Sequence, residues 1–235
     1  MTRFIGGLSL GQQRELTALV IVETYTIPDP NRHDCPLNRF DVRQIFRWPL
    51  GTKYPQIVED LKQMYSTPKL RETTLLVDGT GVGKAVTDLF LKSGIMARLR
   101  PFVITAGFKR GDGTVPKTEL IGATIAASQQ RRIRYAEGLK FGPILEKELE
   151  TFTTKLATDR NESFAAWREK DKDDLVLALS LAVWHGARTG SGYVGVPEPP
   201  PFSDLPPGTF YDMDPDIFGR DYLSEAGGLP RDTFD

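Results

Sequence analysis

The sequence predicts an α/β fold built on one mixed sheet, with antiparallel hairpin strands first, parallel strands after, and helices on the flanks. Three observations lead there. Two β-rich runs, 3–10 (RFIGGLSL) and 17–25 (TALVIVETY), flank the polar turn Gly11–Glu15, the pattern of an antiparallel hairpin. A short apolar run, Thr73–Val77, ends at Asp78 and leads through a Gly-rich turn into a helix and then another strand, which requires a parallel crossover. Finally, Asp173–Trp184 (DDLVLALSLAVW) has helical length and is apolar nearly all round, so it belongs in the interior.

Taken in order, the hairpin is followed by a polar loop, Pro28–Asn38, with three prolines, and by a third strand, Asp41–Trp48. Pro49-Leu50-Gly51 ends that strand. Tyr54–Tyr65 repeats apolar residues at helical spacing, with Ile57, Val58, Leu61 and Met64 on one side. After the Asp78 strand come a helix over Lys84–Ser93, a strand over Leu99–Thr105 and a loop over Ala106–Pro116. Lys117–Gln130 reads as helix and Ile133–Ala136 as a short strand. Phe141–Ala157 is a helix with a stripe of Ile144, Leu145, Leu149 and Phe152, and a short edge strand is expected around Ser163–Arg168. Beyond Gly190 both periods vanish, and no internal repeat is visible. Three strands, then helix, strand, helix and strand, closed by a buried helix, is the order of the ribonuclease-H-like fold. The expected division is a folded domain over 1–189 and an acidic, Pro-rich tail over 190–235.

The net charge of −1 conceals an asymmetry. Residues 1–189 hold 28 Lys/Arg against 22 Asp/Glu, whereas 190–235 hold two against nine, with eight of the seventeen prolines. A basic body with an acidic tail suits a domain that meets a polyanion, although an ordinary surface with a solvated tail gives the same totals. The single cysteine, Cys35, excludes an internal disulfide. No apolar run approaches a membrane span, and the N-terminus has no secretory pattern. A soluble, cytoplasmic protein with no membrane partner is expected.

Asp78 stands at the carboxyl end of a strand, where α/β sheets gather their ligands, so a metal or base role is open to it. So is the plainer role of capping the following helix through a turn. A phosphate-loop reading of the GTGVGK segment fails, because that loop needs glycine at the position of Asp78 and Ser or Thr at Ala85. Asp171-Lys172-Asp173-Asp174 precede the buried helix, where the dipole favours acids for structural reasons alone. Consecutive helical residues point about 100° apart, so one of Asp173 and Asp174 can face inward. Joined with Asp78, such an acid would bind a divalent metal through oxygen. Two ions about 4 Å apart activate water and stabilise an in-line phosphoryl displacement. On the first strand, the inward position before Gly11 is Ser9, a weak and neutral ligand.

The segment GLSLGQQRELTALVIVE resembles the pattern G-x-D-x-G-Q-x-x-D-x-T-A-L of the nuclease domain of phage terminase large subunits, with Ser9 at the first Asp and Glu15 at the second. VRQIFRWPLGTKYPQIVEDL is similar to that family's next segment, and LLVDGTGVGKAVTDLF to its strand, acid and Gly-rich turn. ITAG followed by VPKTELI is similar to its lysine-bearing segment. DKDDLVLALSLAVW resembles its H-D-D-L-V-L-A-L-A-L-A block, with Lys172 where histidine is usual. The resemblance runs in order from about residue 3 to residue 186. It implies a metal-dependent endonuclease that cuts concatemeric double-stranded DNA during genome packaging with two Mg²⁺ or Mn²⁺ ions. Asp78, Asp173 and Asp174 would hold the metals, Lys117 would lie near the scissile phosphate, and Ser9 would mark the missing carboxylate. Partners would be DNA, a portal protein and a packaging ATPase domain or subunit. Low activity is expected from Ser9, with Glu15 or Glu23 as partial substitutes.

Lys109, Arg110, Arg131, Arg132 and Arg134, with Lys117, are the expected duplex-binding cations, since phosphate contacts position DNA without reading sequence. His33 and Cys35 are too few ligands for zinc, and His185 reads as a partner of the helix C-terminus. The alternative from another class is a non-catalytic DNA- or portal-binding module on the same fold. A sugar-kinase or actin-like ATPase needs two such domains, which this length does not supply.

Overall fold

The computed structural model describes residues 3–11, 15–29, 32–71, 73–105, 113–158 and 173–189, with the backbone alone at 32–35 and 152–158. Its strands are β1 (Arg3–Ser9), β2 (Ala18–Asp29), β3 (Arg32–Arg47), β4 (Thr74–Asp78), β5 (Arg98–Thr105), β6 (Thr114–Pro116) and β7 (Ile133–Tyr135). The helices are α1 (Tyr54–Tyr65), α2 (Lys84–Leu91), α3 (Lys117–Gln129), α4 (Gly142–Thr158) and α5 (Asp174–Thr189). One seven-stranded sheet has the order β6-β5-β4-β1-β2-β3-β7. β1, β2 and β3 pair antiparallel, while β4 joins β1, and β5 joins β4, in parallel. This is the ribonuclease-H-like arrangement.

Strand alternation sends two apolar sets to opposite faces. Leu8, Leu19, Ile21, Leu75 and Val77 meet Ile57, Leu61, Met64 and Tyr65 of α1 and Phe90 of α2. Ile5, Val20, Val22, Phe40, Val42 and Leu76 meet Leu120 of α3, Leu145 of α4 and the apolar body of α5. Consecutive glycines let helices close on β1 from both sides. A β-carbon on Gly7 would lie 1.9 Å from the Ala178 carbonyl oxygen of α5, and one on Gly6 would lie 2.2 Å from the Tyr65 hydroxyl of α1.

Several boundaries differ from the sequence expectation. The Pro28–Asn38 loop is largely strand, since β2 and β3 stay paired through Ile27↔Leu37 and Asp29↔Arg32. Pro28 falls inside a register shift between Ile27 and Asp29, where the ladder needs no N–H from it. The end of the predicted Ala106–Pro116 loop is β6, and α5 runs on past Trp184 to Thr189. Ile144 of the predicted α4 stripe is exposed, whereas Leu145 and Leu149 are buried. The expected edge strand near Ser163–Arg168 and the tail from 190 lie outside the described residues. Among the described residues no helix is long and apolar enough to cross a membrane.

Candidate active site

Strand pairing lines up one row across the sheet. Arg47 of β3 is opposite Ala18 of β2, Ala18 is opposite Ser9 of β1, Ser9 is beside Asp78 of β4, and Asp78 is beside Phe102 of β5. Partners in register share a face, and this face is the one covered by α5, because Leu76 and Ala18 belong to its core. The row closes the carboxyl ends of β1 and β4, the position where α/β sheets present ligands. Ser9 and Asp78 are buried, at 6% and 2% exposure.

The N-terminus of α5 lies over the same row. The helix runs antiparallel to β1: Gly186 packs against Ile5, and Ala178 against Gly7 two residues further along. Continuing that course to Ser9 reaches the start of the helix. There Asp173 caps it, its carbonyl accepting the Leu177 N–H at 2.9 Å, and Asp174 is its first residue. Sequence order therefore separates Ser9, Asp78 and the Asp173-Asp174 pair widely, and the fold gathers them at one end of the sheet.

Asp78 is held by the turn that follows it. Its Oδ1 accepts the Thr80 backbone N–H at 2.9 Å and the Thr80 hydroxyl. Thr80 Oγ1 in turn accepts the Ile104 N–H of β5 at 2.7 Å, which leaves the hydroxyl proton for Asp78. Asp78 does not cap α2, whose N-cap is Gly83 with no side-chain hydrogen bond; it binds Thr80 in the turn instead.

The two helix-start acids have different partners. Lys117, buried at the first turn of α3, brings Nζ to 3.6 Å from Asp173 Oδ2, an oxygen with no hydrogen-bond partner among the described residues. Burial pushes the Asp173 carboxyl up to about 6; Lys117 opposes that rise and Asp174 adds to it. Asp174 takes the fork of Arg47, accepting Nε at 2.7 Å on Oδ2 and Nη2 on Oδ1. The same Nη2 donates to Glu148 Oε1 of α4 at 3.0 Å. Burial, then the neighbouring Asp174, pushes the Glu148 carboxyl up to about 7 against the pull of Arg47. Arg47 and Glu148 are the site residues that sequence reasoning missed. The only local signal was a charge at the strand end in FRWPLG and an acid on the inner side of α4.

A set of ligands for two metal ions does not stand ready. Among the described residues no three His, Cys, Asp or Glu side chains converge on one point. Asp174, one of the expected ligands, has both carboxylate oxygens on Arg47. Ser9 contributes no charge. Asp78 and Asp173 remain, one on each side of the helix–sheet seam.

The other predicted residues fall elsewhere. Glu23 is five residues beyond Ala18 on β2, so it points to the opposite face, where it pairs with Arg43 at 2.6 Å; it does not substitute for a carboxylate at Ser9. Glu15 lies exposed at the bend after β1. Arg132 and Arg134 are by the β3–β7 pairing around Phe40 and Asp41, roughly 20 Å along β3 from Arg47. Arg134 forks onto buried Asp41 at 2.8 Å, and Arg132 Nη1 donates to the Asn38 carbonyl at 2.7 Å. Arg131 adopts a left-handed turn (φ 52°) just after α3. Arg132 and Arg134 thus build the far end of the sheet, away from the Asp78 row, and Arg131 is exposed beside them. Lys109 and Arg110 lie outside the described residues, as do the side chains of His33 and Cys35. His185 is buried, and burial, with Arg100 and Arg3, lowers its pKa to about 4. Near neutral pH it is uncharged, so it is not the expected charged partner of the helix C-terminus.

No protein-family model matches the chain, and no curated protein does. Among solved structures it is similar to the phage P22 large terminase nuclease domain, at 12% identity and a TM-score of 0.46 over 80% of this chain and 81% of that one. It is similar to the manganese-bound nuclease domain of the large terminase of bacteriophage SPP1, at 13% identity and 0.45 over 77% and 84%. It is also similar to the manganese-soaked human cytomegalovirus terminase nuclease domain, at 16% identity and 0.44 over 77% and 81%.

Proposed function

We propose that this chain is a metal-dependent DNA endonuclease domain of the terminase large-subunit kind, acting on double-stranded DNA during genome packaging and slowed because Ser9 replaces the carboxylate of the first strand. The observation that carries this reading is the pairing of Ser9 with Asp78 at the strand ends beneath the start of α5. A carboxylate at position 9 would stand beside Asp78 and face the Asp173 end of the helix. The proposed ions are Mg²⁺ or Mn²⁺, which would supply a water of lowered pKa once the ligand set is complete.

The chain's own residues account for the rest. Thr80 fixes the carboxylate of Asp78 through two donors, so the acid does not swing when DNA arrives. Lys117 offers a buried ammonium at the same end, placed to meet a non-bridging phosphate oxygen of the backbone. Phosphate contact of that kind needs no base reading, so cutting would show little sequence preference. The portal and a packaging ATPase domain or subunit are the proposed partners, with the acidic segment 190–235 as the docking element, in the cytoplasm of the host.

A second reading is a DNA- or portal-binding module that kept the fold and lost the chemistry. Two observations favour it: Ser9 carries no charge, and Asp174 is committed to Arg47. Plasmid cleavage in Mn²⁺ separates the two. Ser9→Asp is expected to cut at least about a hundredfold faster than the chain as it stands, the scale at which one electrostatic group at a reacting centre acts. Equal rates would remove Ser9 as the defect, and silence from both would leave the binding module.

A further inference from the structure

We infer that Arg47 is an internal cation occupying the place over Asp174 where a second metal ion would otherwise be held, so that this site takes at most one divalent ion. The inference rests on the reading of the Asp78 row as a cation site and goes beyond it by assigning the ion count to one residue.

The geometry is that of a replacement. Arg47 belongs to the same cross-sheet row as Ser9 and Asp78, separated from Ser9 only by Ala18. The two row positions between Arg47 and Asp78, Ala18 and Ser9, carry small side chains. Its planar fork spans both oxygens of Asp174, and one nitrogen reaches on to Glu148. Bridging two carboxylates on two helices is what a metal ion does in such a place, and a guanidinium does it without dehydration of a doubly charged ion. The side chains of Arg47 and Asp174 are 9% and 8% exposed, so solvent does not compete for either.

Charge leads to the same count. Asp78, Asp173, Asp174 and Glu148 carry four negative charges when ionised, and Arg47 and Lys117 carry two positive ones. The remainder equals the charge of one divalent ion. A second ion would place an uncompensated double charge in a low-dielectric pocket. Removing Arg47 and adding a carboxylate at position 9 raises the remainder to four, the charge of two ions.

The test is a calorimetric Mn²⁺ titration of the full chain and its variants, with bound ions counted independently by electron paramagnetic resonance. Ser9→Asp is expected to bind one ion, and Ser9→Asp/Arg47→Gln two. Because Arg47→Gln alone leaves two buried acids unpaired, a third protein, Ser9→Asp/Arg47→Gln/Glu148→Gln, stands in if the former does not fold; it has the net charge of Ser9→Asp but lacks the guanidinium, so a second ion on it reads the vacated place and not the charge. Two ions on Ser9→Asp with Arg47 in place would overturn the inference, as would one ion on every Arg47→Gln protein. No Mn²⁺ on any of them, Ser9→Asp included, would overturn the cation-site reading itself, and is told apart by the empty Ser9→Asp titration.

Discussion

Single residues at the strand ends carry more consequence than their chemistry alone suggests. Arg47 is buried against two acids, and removing one partner of a buried charge cluster leaves the others uncompensated. Arg47→Ala is therefore expected to lower unfolding free energy by about 3–5 kcal/mol, measured by urea denaturation. A loss under about 1 kcal/mol, the scale of exposed pairs, would show that the cluster is solvated. Titration at two places has opposite sign. Asp173 and Glu148, at about 6 and about 7, keep protons in the folded state that the unfolded chain releases near pH 4, so they weaken the fold as pH rises through that window. His185, at about 4, resists a proton that the unfolded chain accepts below about 6.5, so its share of stability is lost as pH falls from 6.5 to 4. His185→Gln should therefore lose less stability than the parent between pH 7 and pH 4.5, by up to about 3 kcal/mol. Equal losses would mean that His185 titrates normally.

At the scale of elements, the close approach of α5 to β1 sets where Asp173 and Asp174 end up. Gly7 permits that approach, and a methyl group there would strike the Ala178 carbonyl. Gly7→Ala should lower Tm by several degrees and, in the Ser9→Asp background, depress cleavage further than the lost stability explains, because the helix start moves away from Asp78. Unchanged cleavage at a temperature where the variant is fully folded would contradict this. The elements themselves were largely legible. The apolar spacing of Tyr54–Tyr65 gives α1 to the residue, and the all-round apolar run of α5 announces its burial. The β2–β3 extension was not legible, because proline marks a break in a sequence and only the observed register shift shows how Pro28 is absorbed. In the candidate site, Asp78, Ser9 and the helix-start acids could be named from strand ends and a helix start. The partners Arg47 and Glu148 could not, since sequence separations of 127 from Arg47 to Asp174 and 101 from Arg47 to Glu148 leave no local spacing to read.

At the scale of the whole molecule, buried charge clusters stand at two separate ends of the sheet. One end holds Asp41 with Tyr25, Arg43 and Arg134, a charged cluster bound by its own hydrogen bonds. The other holds the Asp78 row, where one carboxyl oxygen each of Asp173 and Glu148 is buried with no hydrogen-bond partner among the described residues. Buried polar atoms are normally satisfied, so each that is not calls for an explanation. The arginines near β7, attractive for DNA on charge alone, belong to the first end. Substituting them should cost stability more than DNA affinity. The claim that chemistry belongs to the second end is tested most directly by single-turnover cleavage of a labelled duplex in Mn²⁺, all in the Ser9→Asp background. Asp78→Asn and Asp173→Asn should each cut at least about a hundredfold more slowly, while Glu23→Gln, on the opposite face, should cut at the background rate. Retained cleavage by Asp78→Asn, or loss with Glu23→Gln, would place the reaction somewhere other than the Ser9–Asp78 row.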